Sequence, residues 1–186
     1  MAVNTCGVFL LILASCYINV LLVEGWRMEP DCSEIIPGRL WVGQYIREDE
    51  IEKLKGMGIT AVVSLQTDTD LARCGVSPDT LAEAYERAGI DYRRVPTTDF
   101  DRSALERNLP EAVAEVAAIL SHPAARLYLH CTAGISRSTT TAAAYLIRLR
   151  GMMAWEACDY LQSRRDCDPA LEILERFEAA ARETSC

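Results

Sequence analysis

The chain has 186 residues, half of them apolar and a quarter charged, the balance of a globular protein with a real core rather than a disordered or fibrous one. Its formal net charge is −8, and no basic run exceeds the pairs Arg93-Arg94 and Arg164-Arg165. This argues against a nucleic-acid partner, which needs a basic face to neutralise many backbone phosphates. A single phosphate group needs only one small positive site and stays open as a ligand.

Residues 1–23 carry no charged side chain, and 7–23 is apolar apart from Ser15, Asn19 and small polar interruptions. A membrane-spanning helix needs about 20 apolar residues. The basic start of a signal peptide is missing. Leu13-Ala14-Ser15-Cys16 has the look of a lipoprotein box. The expectation is a targeting or membrane-anchor segment over 1–25, with membrane association through 7–23, and one globular domain over 26–186. Glu24 and Arg27 cancel, so no membrane side is assigned.

From Pro30 onward the pattern is globular. Arg39–Gly43 predicts a short strand bounded by Gly38 and Gly43. Residues 48–57 predict a helix that stops at Gly58. Thr60–Leu65, apolar and β-branched, reads as a buried parallel strand. Thr67–Gly75 reads as a polar loop. Ser77-Pro78-Asp79 opens a helix with a cap residue and a proline in its first turn, and the helix runs to Ala88 before Gly89. Asp91–Val95 is the next strand. Ser103, with Glu106 three residues on, reads as a capping box opening a helix to Leu120. Arg126–His130 is another buried strand, followed by a helix over 138–150 that ends at Gly151. Two further helices are expected near 154–163, with Trp155 packed in the helical layer, and near 169–182. Strands alternating with helices of this length predict an α/β fold, a mostly parallel central sheet flanked by helices. In such folds ligands bind at the carboxyl ends of the strands.

The segment His130-Cys131-Thr132-Ala133-Gly134-Ile135-Ser136-Arg137-Ser138 sits where a buried strand gives way to a helix. The backbone N–H groups of Thr132, Ala133, Gly134, Ile135, Ser136 and Arg137 can curl around a dianion. The helix that follows points its positive end at the same place. Both features favour a thiolate at Cys131, the nucleophilic form of cysteine. Gly134 permits the tight turn. Arg137 can grip two phosphate oxygens through its planar fork, as a lysine could not. Ser138 is placed to hydrogen-bond the thiolate, and His130 to orient the loop through its ring nitrogens.

His130-Cys131-x5-Arg137-Ser138 resembles the signature of the protein tyrosine phosphatase superfamily, and the compact chain resembles its atypical dual-specificity branch over roughly residues 33–182. The resemblance implies a dual-specificity phosphatase fold and a phosphomonoester hydrolase that forms a cysteinyl-phosphate and hydrolyses it with water, with no metal and no cofactor. It also implies a general acid on a loop about thirty residues before the cysteine. In Val95-Pro96-Thr97-Thr98-Asp99-Phe100-Asp101, Asp99 lies thirty-two residues before Cys131 and matches that position; it would protonate the leaving oxygen and then activate water. Asp101 is the rival, and either aspartate could instead cap the helix that follows.

For the substrate, Val62–Leu71, the Asp99-Phe100-Asp101 loop and Leu109-Pro110-x-Ala112-Val113 resemble plant glucan phosphatases, in which an aromatic after the acid helps line a glucan channel. Phe100 is that aromatic by analogy, or else a core residue that anchors the loop. That group usually has glycine at the place of Ser136. Ser136-Arg137-Ser138 and Val95–Phe100 also resemble the mitochondrial phosphatidylglycerophosphate phosphatase, so a lipid phosphatase is the alternative. A protein phosphatase and a phosphate-binding pseudophosphatase are further readings. The partners expected are therefore a phosphorylated glucan, protein or lipid, with the chain a monomer.

Arg164-Arg165-Asp166-Cys167-Asp168-Pro169 stands where the resemblance implies an Arg-Pro loop that completes the pocket, but the usual Pro and Asn are absent, and it reads as a plain connection in which Asp168 caps a helix with Pro169 in its first turn. The eight cysteines are irregularly spaced and include no C-x-x-C pair, which argues against a zinc site. A nucleophilic cysteine needs a reducing compartment. Cys74 and Cys167 are candidate resolving thiols for an oxidised Cys131.

Overall fold

The structure is a computed structural model that describes residues 30–183. The segment expected to target or anchor the chain, residues 1–25, lies outside the described residues.

Five strands form one sheet in the order β1-β2-β5-β3-β4: β1 Cys32–Ile36, β2 Leu40–Gly43, β3 Ala61–Ser64, β4 Asp91–Arg94 and β5 Leu127–His130. β5 is central and runs parallel to β2 on one side and to β3 on the other, and β4 extends the parallel part beyond β3. Only β1 is antiparallel, paired with β2 across a turn in which Gly38 has φ +68° and the Arg39 N–H bonds the Ile36 carbonyl at 2.9 Å. This edge strand was not expected from the sequence. Its residues Cys-Ser-Glu lack the β-branched run of β3, and Ile35 alone reaches the core completely.

Residue alternation along the strands divides the core in two. Leu40, Val42, Ala61, Val63, Leu127 and Leu129 face one side. Helices α4 Arg102–Leu120, α5 Arg137–Arg150, α6 Ala154–Gln162 and α7 Leu171–Glu183 close that side. Leu105, Leu109, Val113 and Val116, spaced three to four apart, form the buried stripe of α4. Trp41, Val62 and Tyr128 face the opposite side and pack with Leu54 of α1 (Ile51–Gly56) and with Leu81 and Tyr85 of α3 (Pro78–Ala88). Both faces of β2, β3 and β5 are therefore covered, which is why these strands are buried throughout, whereas the edge strand β4, Asp-Tyr-Arg-Arg, is only partly buried.

Four local expectations change. Thr67–Gly75 is not a loop: it holds helix α2, Asp68–Arg73. Its capping box is reciprocal, Asp70 N–H to Thr67 Oγ1 at 3.1 Å and Thr67 N–H to Asp70 Oδ2 at 3.0 Å. Helix α4 is capped by Asp101 rather than Ser103, because the Ala104 N–H bonds Asp101 Oδ1 at 2.9 Å. Helix α7 starts at Leu171, so Asp168 is not its cap. Trp155 is half exposed on α6 instead of packed in the helical layer.

Candidate functional site

β5 ends at His130 and α5 begins at Arg137, so the loop 131–136 leaves the carboxyl end of the central strand, between the parallel strands β2 and β3. This is the place where open α/β sheets bind ligands. Cys131 is buried there, and its Sγ accepts the Gly134 N–H at 3.3 Å and the Ser138 hydroxyl at 3.4 Å. Gly134 has φ +69°, and a Cβ on it would lie 2.4 Å from the Gly43 carbonyl carbon and 2.8 Å from Arg165 Nη2. Gly134→Ala is therefore expected to cost about 2–4 kcal/mol in a urea melt, from backbone strain and overpacking together.

Every carbonyl from His130 to Ser136 has a donor. Leu65 N–H serves His130 at 2.9 Å and Tyr45 N–H serves Thr132 at 3.1 Å. His130 Nδ1 lies 3.0 Å from the Cys131 carbonyl, which makes Nδ1 the protonated nitrogen. The Thr139 hydroxyl serves Ile135 and Ser136. Burial pushes His130 down to about 4, with the Arg137 charge acting in the same direction and the hydrogen bond to the Cys131 carbonyl against it. The imidazole is thus neutral at neutral pH.

Arg137 is 3% exposed, and its guanidinium is held all round. Nη1 donates to Asp70 Oδ2 and to the Thr97 carbonyl, both at 2.8 Å. Nη2 donates to Thr132 Oγ1 at 3.0 Å, an oxygen that also receives Gln66 Nε2 at 3.2 Å. Nε lies 3.1 Å from Asp99 Oδ1 as an ion pair without an aligned hydrogen bond. Burial alone would raise the Asp70 carboxyl, but hydrogen bonds from Arg137 and from the Thr67 N–H, with the guanidinium charge, hold it below the usual carboxylate range. Asp70 was not singled out from the sequence, where it falls in the segment read as a polar loop; the Thr67-x-x-Asp70 spacing is the signal that could have found it.

The two candidate acids separate. Asp101 spends its carboxylate on the α4 cap, whereas Asp99 is partly open to solvent and faces Arg137. Between them Phe100 has φ +58° and is 99% exposed, so it is not a core anchor for the loop. Its N–H bonds Asp99 Oδ1 at 3.2 Å. Asn108 on α4 pins the base of this loop by donating to the Pro96 carbonyl at 3.0 Å. Ile135, in the loop that carries Cys131, is also half exposed.

The model of the dual specificity phosphatase catalytic domain matches residues 40–173. The chain belongs to the dual-specificity phosphatase family. Members of this family are cysteine-dependent phosphomonoester hydrolases. The amyloplastic phosphoglucan phosphatase DSP4 of Castanea sativa is 30% identical over 132 residues, covering 70% of this chain and 35% of that protein. Laforin of Mus musculus is 29% identical over 163 residues, covering 81% of this chain and 48% of laforin. The chain thus spans about a third to a half of the length of these curated relatives. Among solved structures, Tk-PTP in its active form is similar with TM-score 0.68 and 25% identity, covering 82% of this chain and 99% of that one. PTPMT1 in complex with PI(5)P is similar with TM-score 0.70 at 21% identity, over 84% of this chain and all of that one, a likeness of fold.

In this dual-specificity phosphatase domain the segment after α6 is not the plain connection expected from its sequence. Arg165 is buried and reaches back to the loop: Nε donates to the Gly134 carbonyl at 2.7 Å and Nη2 to the Ala133 carbonyl at 3.4 Å. Its Nη1 and Nη2 pair with the two carboxylate oxygens of Asp31 at 2.9 and 3.3 Å. The Asp168 N–H bonds the Ile135 carbonyl at 3.0 Å. In the sequence these residues show only as a charge pair and a cap-like Asp-Pro. Cys74, Cys131, Cys158 and Cys167 are free thiols. Cys74 Sγ lies 3.9 Å from Gln66 Nε2, and burial pushes the Cys167 thiol up, which disfavours its reactive form.

Proposed function

We propose that this domain hydrolyses phosphomonoesters through a cysteinyl-phosphate on Cys131. The Cys131 thiolate attacks phosphorus, the bond from phosphorus to the leaving oxygen breaks, and Asp99 gives that oxygen its proton. Water then attacks the phosphocysteine, Asp99 takes the water proton, and the thiolate leaves inorganic phosphate. Ser138, hydrogen-bonded to Sγ, stabilises the departing thiolate in the second step. The N–H groups of residues 132–137 and the guanidinium of Arg137 hold the phosphoryl oxygens. His130 keeps the start of the loop in place as a neutral imidazole. No step calls for a metal or a cofactor.

The observation that carries this reading is the 3.1 Å approach of Asp99 to Arg137 Nε, beside a loop whose thiol already accepts two hydrogen bonds. It brings the acid to the group that would hold the phosphate, while Asp101 is occupied elsewhere. Asp99→Ala is expected to lower kcat on an alkyl phosphate by about 10²–10³ with little change in KM, and to remove the limb of the pH–rate profile on which activity needs a protonated acid. Full activity in that variant would move the acid to another residue.

The substrate proposed is a phosphoglucan. Two exposed apolar side chains, Phe100 and Ile135, flank a loop interior of Thr132 and Ser136 that carries no lysine or arginine before Arg137. Such a rim suits a phosphoester with a neutral body better than a polyanionic headgroup. Relatives named phosphoglucan phosphatase, at 30% and 26% identity, support it. A panel of solubilised phosphoglucan, phosphatidylglycerophosphate and a phosphotyrosine peptide tests the choice. The highest kcat/KM is expected on the glucan; a preference for the peptide or the lipid would overturn it.

A further inference from the structure

A loop that wraps a dianion points its N–H groups inward, so its carbonyls point outward and, where buried, each needs a donor. In this loop most of those donors are backbone N–H groups or hydroxyls fixed by neighbouring secondary structure. For Ala133 and Gly134, at the middle of the loop, the donor is a side chain that arrives from thirty-two and thirty-one residues away. Arg165 uses Nε on Gly134, Nη2 on Ala133 and both terminal nitrogens on Asp31, and its side chain is 6% exposed. A charge buried so deeply is held by hydrogen bonds from all three of its nitrogens and a carboxylate beside it. Asp31 lies just before β1, and its own carbonyl takes the Gln44 N–H at 3.1 Å, next to the Gly43 backbone against which Gly134 packs.

We propose that Arg165, oriented by Asp31, is a positioning residue for phosphate: it turns the Ala133 and Gly134 carbonyls outward and so presents the loop's N–H groups to the phosphoryl oxygens. This rests on the phosphatase reading above. Arg165 touches no reacting atom. Its effect falls on phosphate affinity, because the N–H groups it aligns bind phosphate in the substrate as in the transition state. Lysine at this position would keep the charge but has no fork to span two carbonyls and a carboxylate.

The test uses the full chain and inorganic phosphate as the probe, read as protection of Cys131 from alkylation by iodoacetamide, with KM and kcat on an aryl phosphate alongside. Arg165→Ala and Arg165→Lys are expected to weaken phosphate at least about tenfold and to raise KM by a similar factor, with a smaller fall in kcat. Asp31→Lys gives the discriminating result. It adds positive charge near the site, which by field alone would tighten phosphate; loss of the Arg165 orientation instead weakens it by about threefold or more. Asp31 is 61% exposed in its side chain, so this variant is expected to fold and to carry the test if Arg165→Ala does not. Phosphate affinity that is unchanged or tighter in Asp31→Lys, or within twofold of wild type in a folded Arg165 variant, overturns the proposal. A wild-type chain with neither turnover nor phosphate protection would instead sink the phosphatase reading, and this inference with it.

Discussion

Cys131→Ser is expected to hydrolyse an aryl phosphate at least about 10⁴-fold more slowly than the wild-type chain, with an unchanged melting temperature. The size follows from chemistry. A serine hydroxyl at this place is neutral at working pH, and among the described residues the groups hydrogen-bonded to Sγ are the Gly134 N–H and the Ser138 hydroxyl, both donating to it. Donors stabilise a thiolate but cannot take a proton from an alcohol. The fold should tolerate the exchange because oxygen is smaller than sulfur, and the two donors retain an acceptor. Phosphate should still bind, since neither the loop N–H groups nor Arg137 has changed. Turnover above this limit in Cys131→Ser, measured with purified protein on a chromogenic aryl phosphate, would rule out the cysteinyl-phosphate.

The second large effect is expected for Arg137→Lys: a loss of about 10³-fold in kcat/KM and of about 3 kcal/mol in stability. The guanidinium connects four partners, Asp70, the Thr97 carbonyl, Thr132 and Asp99. A single ammonium cannot reach them all, and the 6% exposed Asp70 carboxylate would keep its charge without a matched partner. Two measurements check this, kcat/KM on an aryl phosphate and chemical denaturation across pH. The Asp70 carboxyl is depressed in the folded chain, so the Arg137–Asp70 pair stabilises fully above the unfolded aspartate range, about pH 4, and is lost as pH falls through the lower folded value. The stability difference between wild type and Arg137→Lys should therefore be constant from neutral pH down to about pH 5 and narrow below pH 4. A gap that does not narrow at all between pH 5 and pH 3 would mean that Asp70 is not the partner that matters.

The contiguous loop, its strand and its helix were legible because they obey local rules. The apolar run of β5, the turn glycine and the start of α5 lie side by side in the chain, and residue types alone suggest the chemistry. Gly89 and Gly151 end their helices where the sequence reading placed the stops, each in the left-handed conformation that suits glycine. Local reading failed where two local answers competed. Thr67–Asp70 carries both turn and capping signals, and packing of Leu71 into the core resolves it as helix. Ser103-x-x-Glu106 is a good capping box, yet Asp101 lies two residues earlier and takes the role.

What the sequence by itself determined is a mostly parallel sheet under helices, the strand–loop–helix that carries Cys131 and Arg137, and the place of Asp99 and Asp101 before the next helix. Only the tertiary structure turned Asp99 toward Arg137 and Asp101 onto the α4 cap, set Phe100 in solvent, and brought Asp70, Thr97, Arg165 and Asp31 to the loop or its arginine. The physical reason is one of range. Periodicity and capping report contacts a few residues apart, whereas a buried guanidinium or an outward carbonyl must find its partner wherever the fold brings one. For Cys131 the partners came along the chain; for Arg137 and for the carbonyls of Ala133 and Gly134 they came across it.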